Sequence, residues 1–220
     1  MGTIYSPNVV RDGCVLHLDA ANPKSYPGTG TTWFDLSGNA NDGTLINTPT
    51  YANGIMSFDG VGDYIEVLAV PGTGNSTSSL TWECYVKPAT TAGDIINMTR
   101  GGWNMCPIWS SSQTFKGRVW GTSAITSDTF ILGNYYHLVV VRDYATNTNS
   151  FYMNSELQGV SIGAYSASNG DNDHKIARQG NQATNTYFQG DIPIARVYNR
   201  ALSAQEVAQN FEAMRGRYGI

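Results

Sequence analysis

The chain has 220 residues, a formal net charge of −4 and 14% charged residues, which excludes most nucleic-acid-binding classes. Binding to nucleic acid or to an anionic membrane surface requires a basic stripe, and the sequence contains no run of lysine or arginine. Many glycine, asparagine, serine and threonine residues favour a β-protein with tight turns. We therefore expect one β domain over residues 1–220, with no nucleic-acid or membrane partner.

Short apolar runs separated by turn residues predict strands along the whole chain. They are residues 14–18, 55–58, 63–70, 80–86, 94–98, 115–120, 136–143, 150–154, 174–178 and 192–198. In LTWECYV (80–86), alternation places Trp82 and Glu83 on opposite faces. The pairs Asn53-Gly54 and Asn169-Gly170 predict type I′ turns. Strands at this spacing, without helical periods between them, predict a two-sheet antiparallel sandwich.

One helix is predicted near the C-terminus, at about residues 203–215. Ser203 and Glu206 form a capping-box pattern, and Gly216 is expected to end the helix. The apolar stripe consists of Val207, Phe211 and Met214. Such a narrow stripe predicts a helix that lies over an open end of the sandwich.

Three stretches, in family order, resemble the laminin G-like branch of the concanavalin A-like lectin/glucanase superfamily. The first is LHLDAANPKSYPGTGTTWFDLSGNANDGTL, followed by MSFDGVGDYIEV. The second is LTWECYVKP with YYHLVVVRD and FYMNSELQG, and the third is FQGDIPIARVYNRALSAQEV. The resemblance spans nearly the whole chain. It implies an all-β, two-sheet antiparallel jelly-roll sandwich with one short C-terminal helix.

The chain departs from the family pattern in three places. Pro193 and Ile194 stand where the family's last strand commonly carries paired acids, and the turn Asn154-Ser155 lacks the glycine of a type I′ turn. The segment ARQGNQATN aligns with the calcium loop of the related pentraxins but offers only amides, at Gln179, Asn181 and Gln182. A pentraxin-type double calcium site is therefore not expected.

Glycoside hydrolysis requires two carboxylates that flank the scissile bond. The five glutamates are at positions 66, 83, 156, 206 and 212, and none has an acid two positions away along a strand. Asp63 and Glu66 are three apart and face opposite sides of a strand. We expect no catalytic residue, and a glycan-active hydrolase is the least favoured alternative.

Two oxygen-rich stretches, WFDLSGNANDGTL (33–45) and FDGVGDY (58–64), suit either one structural calcium ion or hydrogen-bonded turns. The candidate ligands are Asp35, Asn39, Asn41, Asp42, Asp59 and Asp63. NGDND (169–173) is a weaker candidate. We favour the turns, because aspartate and asparagine also dominate such stretches by capping them locally. No other cofactor is expected.

Sugar sites combine an aromatic platform with hydrogen-bonding amides and carboxylates. The aromatic candidates are Trp103, Trp109, Trp120, Tyr135 and Tyr187. Each could instead serve core packing or a subunit contact, because large aromatic side chains dominate both. Trp82 and Phe58 are expected to lie in the core.

The stretches LHLDAANPKSYPGTGTTWFDLSGN and YNRALSAQEVAQNFEAMRGRYGI also resemble laminin G-like structural proteins of tailed phages. The sequence opens without a recognisable secretion signal, and a virion component reaches the outside by lysis. The expectation is a non-enzymatic virion surface protein, either a head decoration or fibre or a tail-associated module. Its expected partners are other virion proteins, further copies of itself and surface glycans. The alternative is a free carbohydrate-binding lectin.

Overall fold

The computed structural model describes residues 7–73, 77–100, 103–119, 122–163, 173–179 and 186–220, with backbone only at 98–100 and 103–106. The first strands are β1 (Cys14–Asp19), β2 (Thr32–Trp33), β3 (Gly43–Ile46), β4 (Thr50–Ala52), β5 (Ile55–Asp59), β6 (Tyr64–Val67), β7 (Leu80–Pro88) and β8 (Gly93–Arg100). They are followed by β9 (Trp103–Ser111), β10 (Thr114–Gly117), β11 (Ile125–Thr129), β12 (Tyr136–Asp143), β13 (Thr148–Met153), β14 (Glu156–Ile162), β15 (Asp173–Ile176) and β16 (Gln189–Tyr198). The helix α1 spans Ala204–Tyr218.

The strands form two antiparallel sheets that pack face to face. Sheet 1 has the order β14-β13-β12-β7-β16-β5-β4, and β1 pairs with β16 beside β5. Sheet 2 has the order β11-β10-β9-β8-β15-β6-β3-β2. The prediction of an all-β, two-sheet antiparallel sandwich with one C-terminal helix is confirmed.

The main hydrophobic core lies between the two sheets. Leu16, Trp82 and Val140 of sheet 1 pack in one cluster with Ile65 and Ile108 of sheet 2, and all five are at most 1% exposed. Trp82 and Phe58 both belong to this cluster, as expected. Burial of this apolar surface is the dominant favourable contribution to folding.

Two hairpin turns have the backbone that a type I′ turn requires. Asn53 and Gly54 have φ values of 52° and 78°, which confirms that prediction. Asn154 and Ser155 also have positive φ values, 52° and 65°, although no glycine is present. Asparagine tolerates this region, and the Asn154 side chain accepts a 2.9 Å hydrogen bond from the backbone N–H of His137. Asn169-Gly170 lies outside the described residues.

The C-terminal helix begins as predicted but ends later. The capping box of Ser203 and Glu206 is formed. The helix continues through Gly216 to Tyr218 and ends at Gly219, which has φ 69° and donates its N–H to the Arg215 carbonyl. The prediction that Gly216 ends the helix was wrong, because packing of the buried Tyr218 against Tyr85 extends it by a turn. The helix is not long and apolar enough to cross a membrane, and no other helix occurs in the described ranges.

The helix lies on the outer face of sheet 1 rather than over an end of the sandwich. Val207 packs with Val139 and Tyr198 in one cluster, and Tyr218 packs with Tyr85 and Ile194 in another. These strand residues alternate with core-facing neighbours, so they point away from sheet 2. The prediction of an end cover was wrong because sheet 1 is apolar on both faces.

A buried ionic network lies between sheet 1 and the helix, centred on Glu83. One oxygen of this carboxylate lies 2.8 Å from Nη1 of Arg196 and 2.9 Å from Nε2 of His137. The other oxygen accepts a 2.8 Å hydrogen bond from the side-chain amide of Asn210 and lies 3.2 Å from the Tyr198 hydroxyl. Glu83, His137, Arg196 and Asn210 are all 0% exposed.

The network keeps Glu83 ionised in spite of its burial. Burial by itself raises the pKa of this carboxyl, but the Arg196 charge and the hydrogen bonds from His137 and Asn210 lower it to about 2. Because the folded-state pKa is depressed below the ordinary value of 4.5, the carboxylate stabilises the fold above that pH. This contribution is lost as the pH falls from about 4.5 towards about 2.

Replacing Glu83 by alanine should destabilise the fold strongly, because Arg196 would remain buried without its partner. We expect Glu83→Ala to lower the free energy of unfolding, measured by urea denaturation, by about 3–5 kcal/mol. Glu212→Ala removes a half-exposed carboxylate from the same region and serves as the control, with an expected change within about 0.5 kcal/mol. Equal, small losses in the two variants would contradict the network's role.

Candidate functional site

The outer face of sheet 2 is the broad face of the sandwich opposite the helix. It carries an aromatic strip, defined here as Tyr64, Trp109, Arg118, Arg178 and Tyr187, all of which are half-buried. Tyr64 lies in β6, Trp109 lies in β9, and Arg118 follows β10. Arg178 and Tyr187 pair with each other in an isolated antiparallel β-bridge. The strip therefore gathers residues that are up to 123 positions apart, from 64 to 187.

Strand alternation places Trp109 on the outer face of sheet 2. Its neighbour Ile108 is 0% exposed and points into the core, so Trp109 points outwards. Trp109 is in register with Asp94 of β8 and with Lys116 of β10. The guanidinium carbon of Arg118 lies 5.1 Å from the centroid of the tryptophan ring, in a cation–π contact that holds one side of the ring.

Tyr64, Arg178 and Tyr187 form the other half of the strip. The Arg178 guanidinium lies over both tyrosine rings, at 4.7 Å from the Tyr64 centroid and 5.7 Å from the Tyr187 centroid. The segment that carries Tyr187 approaches β8 closely at Gly93, where a Cβ atom would lie 2.9 Å from the Tyr187 carbonyl oxygen and from Cα of Phe188. Only glycine permits this approach, which positions Tyr187 on the outer face.

A groove of about 330 Å³ lies beside the Trp109 half of the strip and reaches Thr186, the chain neighbour of Tyr187. Its lining includes Trp109, Arg118, Asp94, Gln179 and Thr186. The Thr186 hydroxyl donates to the Asp94 carboxylate and lies 3.3 Å from the Gln179 side-chain oxygen. The groove therefore combines an aromatic surface with a carboxylate, an amide, a hydroxyl and a guanidinium, which is the composition of a polar ligand site.

The aromatic residues predicted from the sequence do not all lie at the same site. Trp109 and Tyr187 lie in the aromatic strip, whereas Tyr135 lies beside sheet 1, where its ring packs 4.9 Å from that of Tyr218 and its hydroxyl donates to Asp191 at 3.2 Å. The Trp103 side chain and all of Trp120 lie outside the described residues. Sequence reasoning missed Arg118 and Arg178, because nothing in the sequence indicates that their planar side chains stack on these aromatic rings.

The oxygen-rich stretch WFDLSGNANDGTL forms a hydrogen-bonded loop around Asp35. One carboxylate oxygen accepts from the backbone N–H groups of His17 and Ser37, both at 2.8 Å. The other accepts from the Ser37 hydroxyl at 2.6 Å and from the Asn41 N–H at 3.1 Å. The Asp42 side chain accepts from the Asp35 N–H, and the Asn39 amide donates to the Cys14 carbonyl. This arrangement supports the turn interpretation.

The second oxygen-rich stretch has the same character. Asp59 accepts from the backbone N–H groups of Val61, Gly62 and Asp63, and these bonds lower its pKa. Burial, together with the Asp59 charge, raises the pKa of Asp63. In the described ranges, no group of three or more His, Cys, Asp or Glu residues is arranged to hold a metal ion.

Calcium should therefore leave the thermal stability of the chain unchanged. An ion that binds only the folded state at a hundred times its Kd would add about 2.7 kcal/mol, which a melting curve detects easily. We expect equal melting temperatures in millimolar calcium, in magnesium and in chelator. A rise that is specific to calcium and is lost in Asp35→Asn or Asp59→Asn would overturn the turn interpretation.

Comparison with solved structures places this fold among binding domains and a sialidase. Trypanosoma rangeli sialidase in complex with sialic acid superposes with a TM-score of 0.70 at 14% identity, over 92% of this chain and 33% of the sialidase. The binding domain of Paraclostridial Mosquitocidal Protein 1 superposes with a TM-score of 0.68 at 15% identity, over 91% of this chain and 52% of that chain. The botulinum neurotoxin serotype D binding domain superposes with a TM-score of 0.69 at 12% identity, over 93% of this chain and 53% of that chain. This chain thus spans about a third of the sialidase and about half of each toxin binding domain.

Sequence comparison identifies the family. No curated protein sequence matches the chain. A laminin G-type family model, described as the concanavalin A-like lectin/glucanases superfamily, matches residues 59–208, which is more than half of the chain. The matched region contains both sheets' central strands and, from the buried network, Glu83, His137, Arg196 and Tyr198. The chain therefore belongs to the concanavalin A-like lectin/glucanase superfamily.

Proposed function

We propose that this chain is a non-catalytic carbohydrate-binding module, that its aromatic strip contacts the glycan, and that it is displayed on the surface of a tailed-phage particle. The observation that carries the binding proposal is the groove beside Trp109. There a half-buried tryptophan stands next to a carboxylate, an amide and a hydroxyl on the broad face opposite the helix. The chain's membership of a lectin-containing superfamily supports the same function.

The groove has the physical properties that a sugar requires. A pyranose has one apolar face of C–H groups, which packs on an aromatic ring, and a rim of hydroxyl groups, which need hydrogen-bond partners. Trp109 offers the ring, while Gln179 and Asp94 lie at the same groove. Its volume of about 330 Å³ accommodates one or two sugar units. Arg118 holds the tryptophan ring in place, so little ordering is needed when a ligand binds.

The surroundings of the glutamates support a non-catalytic function. Glu83 is fully buried beneath the helix and cannot reach a substrate. Glu66 is paired with Lys175, and Glu206 is bonded to Arg200 and to the helix N-terminus. Glycoside hydrolysis needs two carboxylates that both reach the scissile bond. Among the groove-lining residues that the structure describes, Asp94 is the one carboxylate, and it is bonded to Thr186.

Two observations support display on a particle. The first is the resemblance of residues 16–39 and 198–220 to structural proteins of tailed phages. These two stretches contact each other in the fold, where Nη1 of Arg217 donates to both carboxylate oxygens of Asp19, at 2.8 and 2.9 Å. In addition, the edge strand β14 presents apolar side chains to solvent: Leu157 and Val160 are each 52% exposed, and Ile162 is 78% exposed. An exposed apolar sheet edge is typical of a surface that pairs with another chain, whether a second copy or a neighbouring virion protein.

Glycan binding should depend on Trp109. We expect the chain to bind at least one glycan on an array, and Trp109→Ala to weaken that binding about tenfold or more, equivalent to about 1.4 kcal/mol. Tyr144→Ala is the matched control, because Tyr144 is an aromatic residue, 46% exposed, in the turn that follows β12 of sheet 1. A chain that binds no glycan, or that loses binding equally in both variants, would contradict the binding proposal.

The display proposal has a separate test. Purified particles of the phage whose genome encodes this chain should contain it in stoichiometric amounts. Mass spectrometry of the particles checks this. Washing with high salt should leave the protein on the particle, because the edge of β14 is apolar. If the particles lack the chain while the free protein still binds glycans, the free-lectin alternative replaces display.

A further inference from the structure

A second pocket, independent of the aromatic strip, lies on the opposite side of the sandwich. It has a volume of about 370 Å³ and is formed where the residues before β1, β1 itself and the loop around Ser37 meet. His17 of β1 lines this pocket and is in register with Arg196 of β16, so both side chains lie on the outer face of sheet 1. The proposed glycan function does not use this pocket.

Polar groups without partners lie at His17, which lines the inner end of the pocket, and at Arg196 on the neighbouring strand. Nε2 of His17 is buried and makes no hydrogen bond. Beside it, Arg196 is 0% exposed and donates Nη1 to Glu83, but its Nε and Nη2 have no partner. Buried polar atoms are nearly always satisfied in folded proteins, so three such atoms on adjacent side chains indicate that a further group belongs here.

The mouth of the pocket is positively charged. Arg11 and Lys24 both line it, both are exposed, and neither makes an ion pair within the described part of the chain. Asn22 lines the pocket between them; its side-chain oxygen accepts from the Lys24 N–H, which leaves its NH₂ group as a donor. Two unpaired cations and an amide donor at one opening favour an anion and repel a metal cation.

The acidic groups near the pocket are already bonded. Asp35, which stands two residues before Ser37, accepts four hydrogen bonds, and Glu83 is matched by Arg196. His17 itself is neutral, because burial and the Arg196 charge lower its pKa to about 3. A neutral imidazole can still donate one N–H to a ligand.

We propose that this pocket binds a small oxyanion, namely a carboxylate, phosphate or sulfate group. Arg11 and Lys24 supply the positive charge at the mouth, Asn22 supplies a neutral donor, and His17 meets the ligand at the inner end. The pocket is large enough for an anionic group that is attached to a molecule about the size of a monosaccharide.

Calorimetric titration with inorganic phosphate, sulfate and citrate at low ionic strength tests this proposal. We expect saturable one-site binding of at least one of these anions, weakened tenfold or more by the double variant Arg11→Gln, Lys24→Gln. Both residues are exposed, so the variant should fold normally. The double variant Lys87→Gln, Lys116→Gln removes the same charge elsewhere and should retain the wild-type affinity.

A second readout locates the ligand. The imidazole resonances of His17 should shift on titration in a nitrogen-15 NMR spectrum, while those of His174, buried between the sheets, should not. No binding of any of the three anions, equal weakening by both double variants, or binding without a His17 shift would each overturn the proposal. The glycan array result is independent, because the aromatic strip lies on the other face.

Discussion

The ion pair of Glu83 with Arg196 constrains more of this structure than any other single interaction. Two completely buried charges are costly unless they are paired with each other and hydrogen-bonded to their surroundings. Here the partners come from β7, β12, β16 and the helix, and the backbone N–H of Val10 donates to Asn210 at 2.8 Å, which ties the N-terminal segment to the same network. Helix and N-terminal segment must therefore cover sheet 1 for the charges to be satisfied.

This constraint gives the two faces of the sandwich different roles. Sheet 1 is buried on both sides over its centre, so its outer face contributes to folding. Sheet 2 is buried only on the face that packs against the core. Its outer face carries half-buried aromatic and charged residues. Substitutions in the aromatic strip can therefore change ligand binding without disturbing the packing of the core. Function in such folds resides in residues placed on a stable framework.

The sequence predicted the sandwich well, because alternation in strands such as LTWECYV records which residues face the core. It did not predict that the opposite face, with Glu83 and Tyr85, is also buried. The partners of Glu83 are 54, 113 and 127 residues away, so no local pattern indicates them. The strand β9 was missed because Pro107 and the bulges beside it interrupt alternation. Trp109 and Tyr187 were predicted as candidates, but their grouping around Arg118, Arg178 and Asp94 depends on the sheet register.

The central claim is that the outer face of sheet 2 is the ligand-binding face of this domain. A crystal structure with the oligosaccharide that binds best on the array tests it most directly. The account predicts sugar density in the groove beside Trp109, with a ring packed on the Trp109 indole and a hydroxyl within hydrogen-bond distance of Asp94 or Gln179. Sugar bound at a rim loop or beside the helix, with the groove filled only by water, would contradict it.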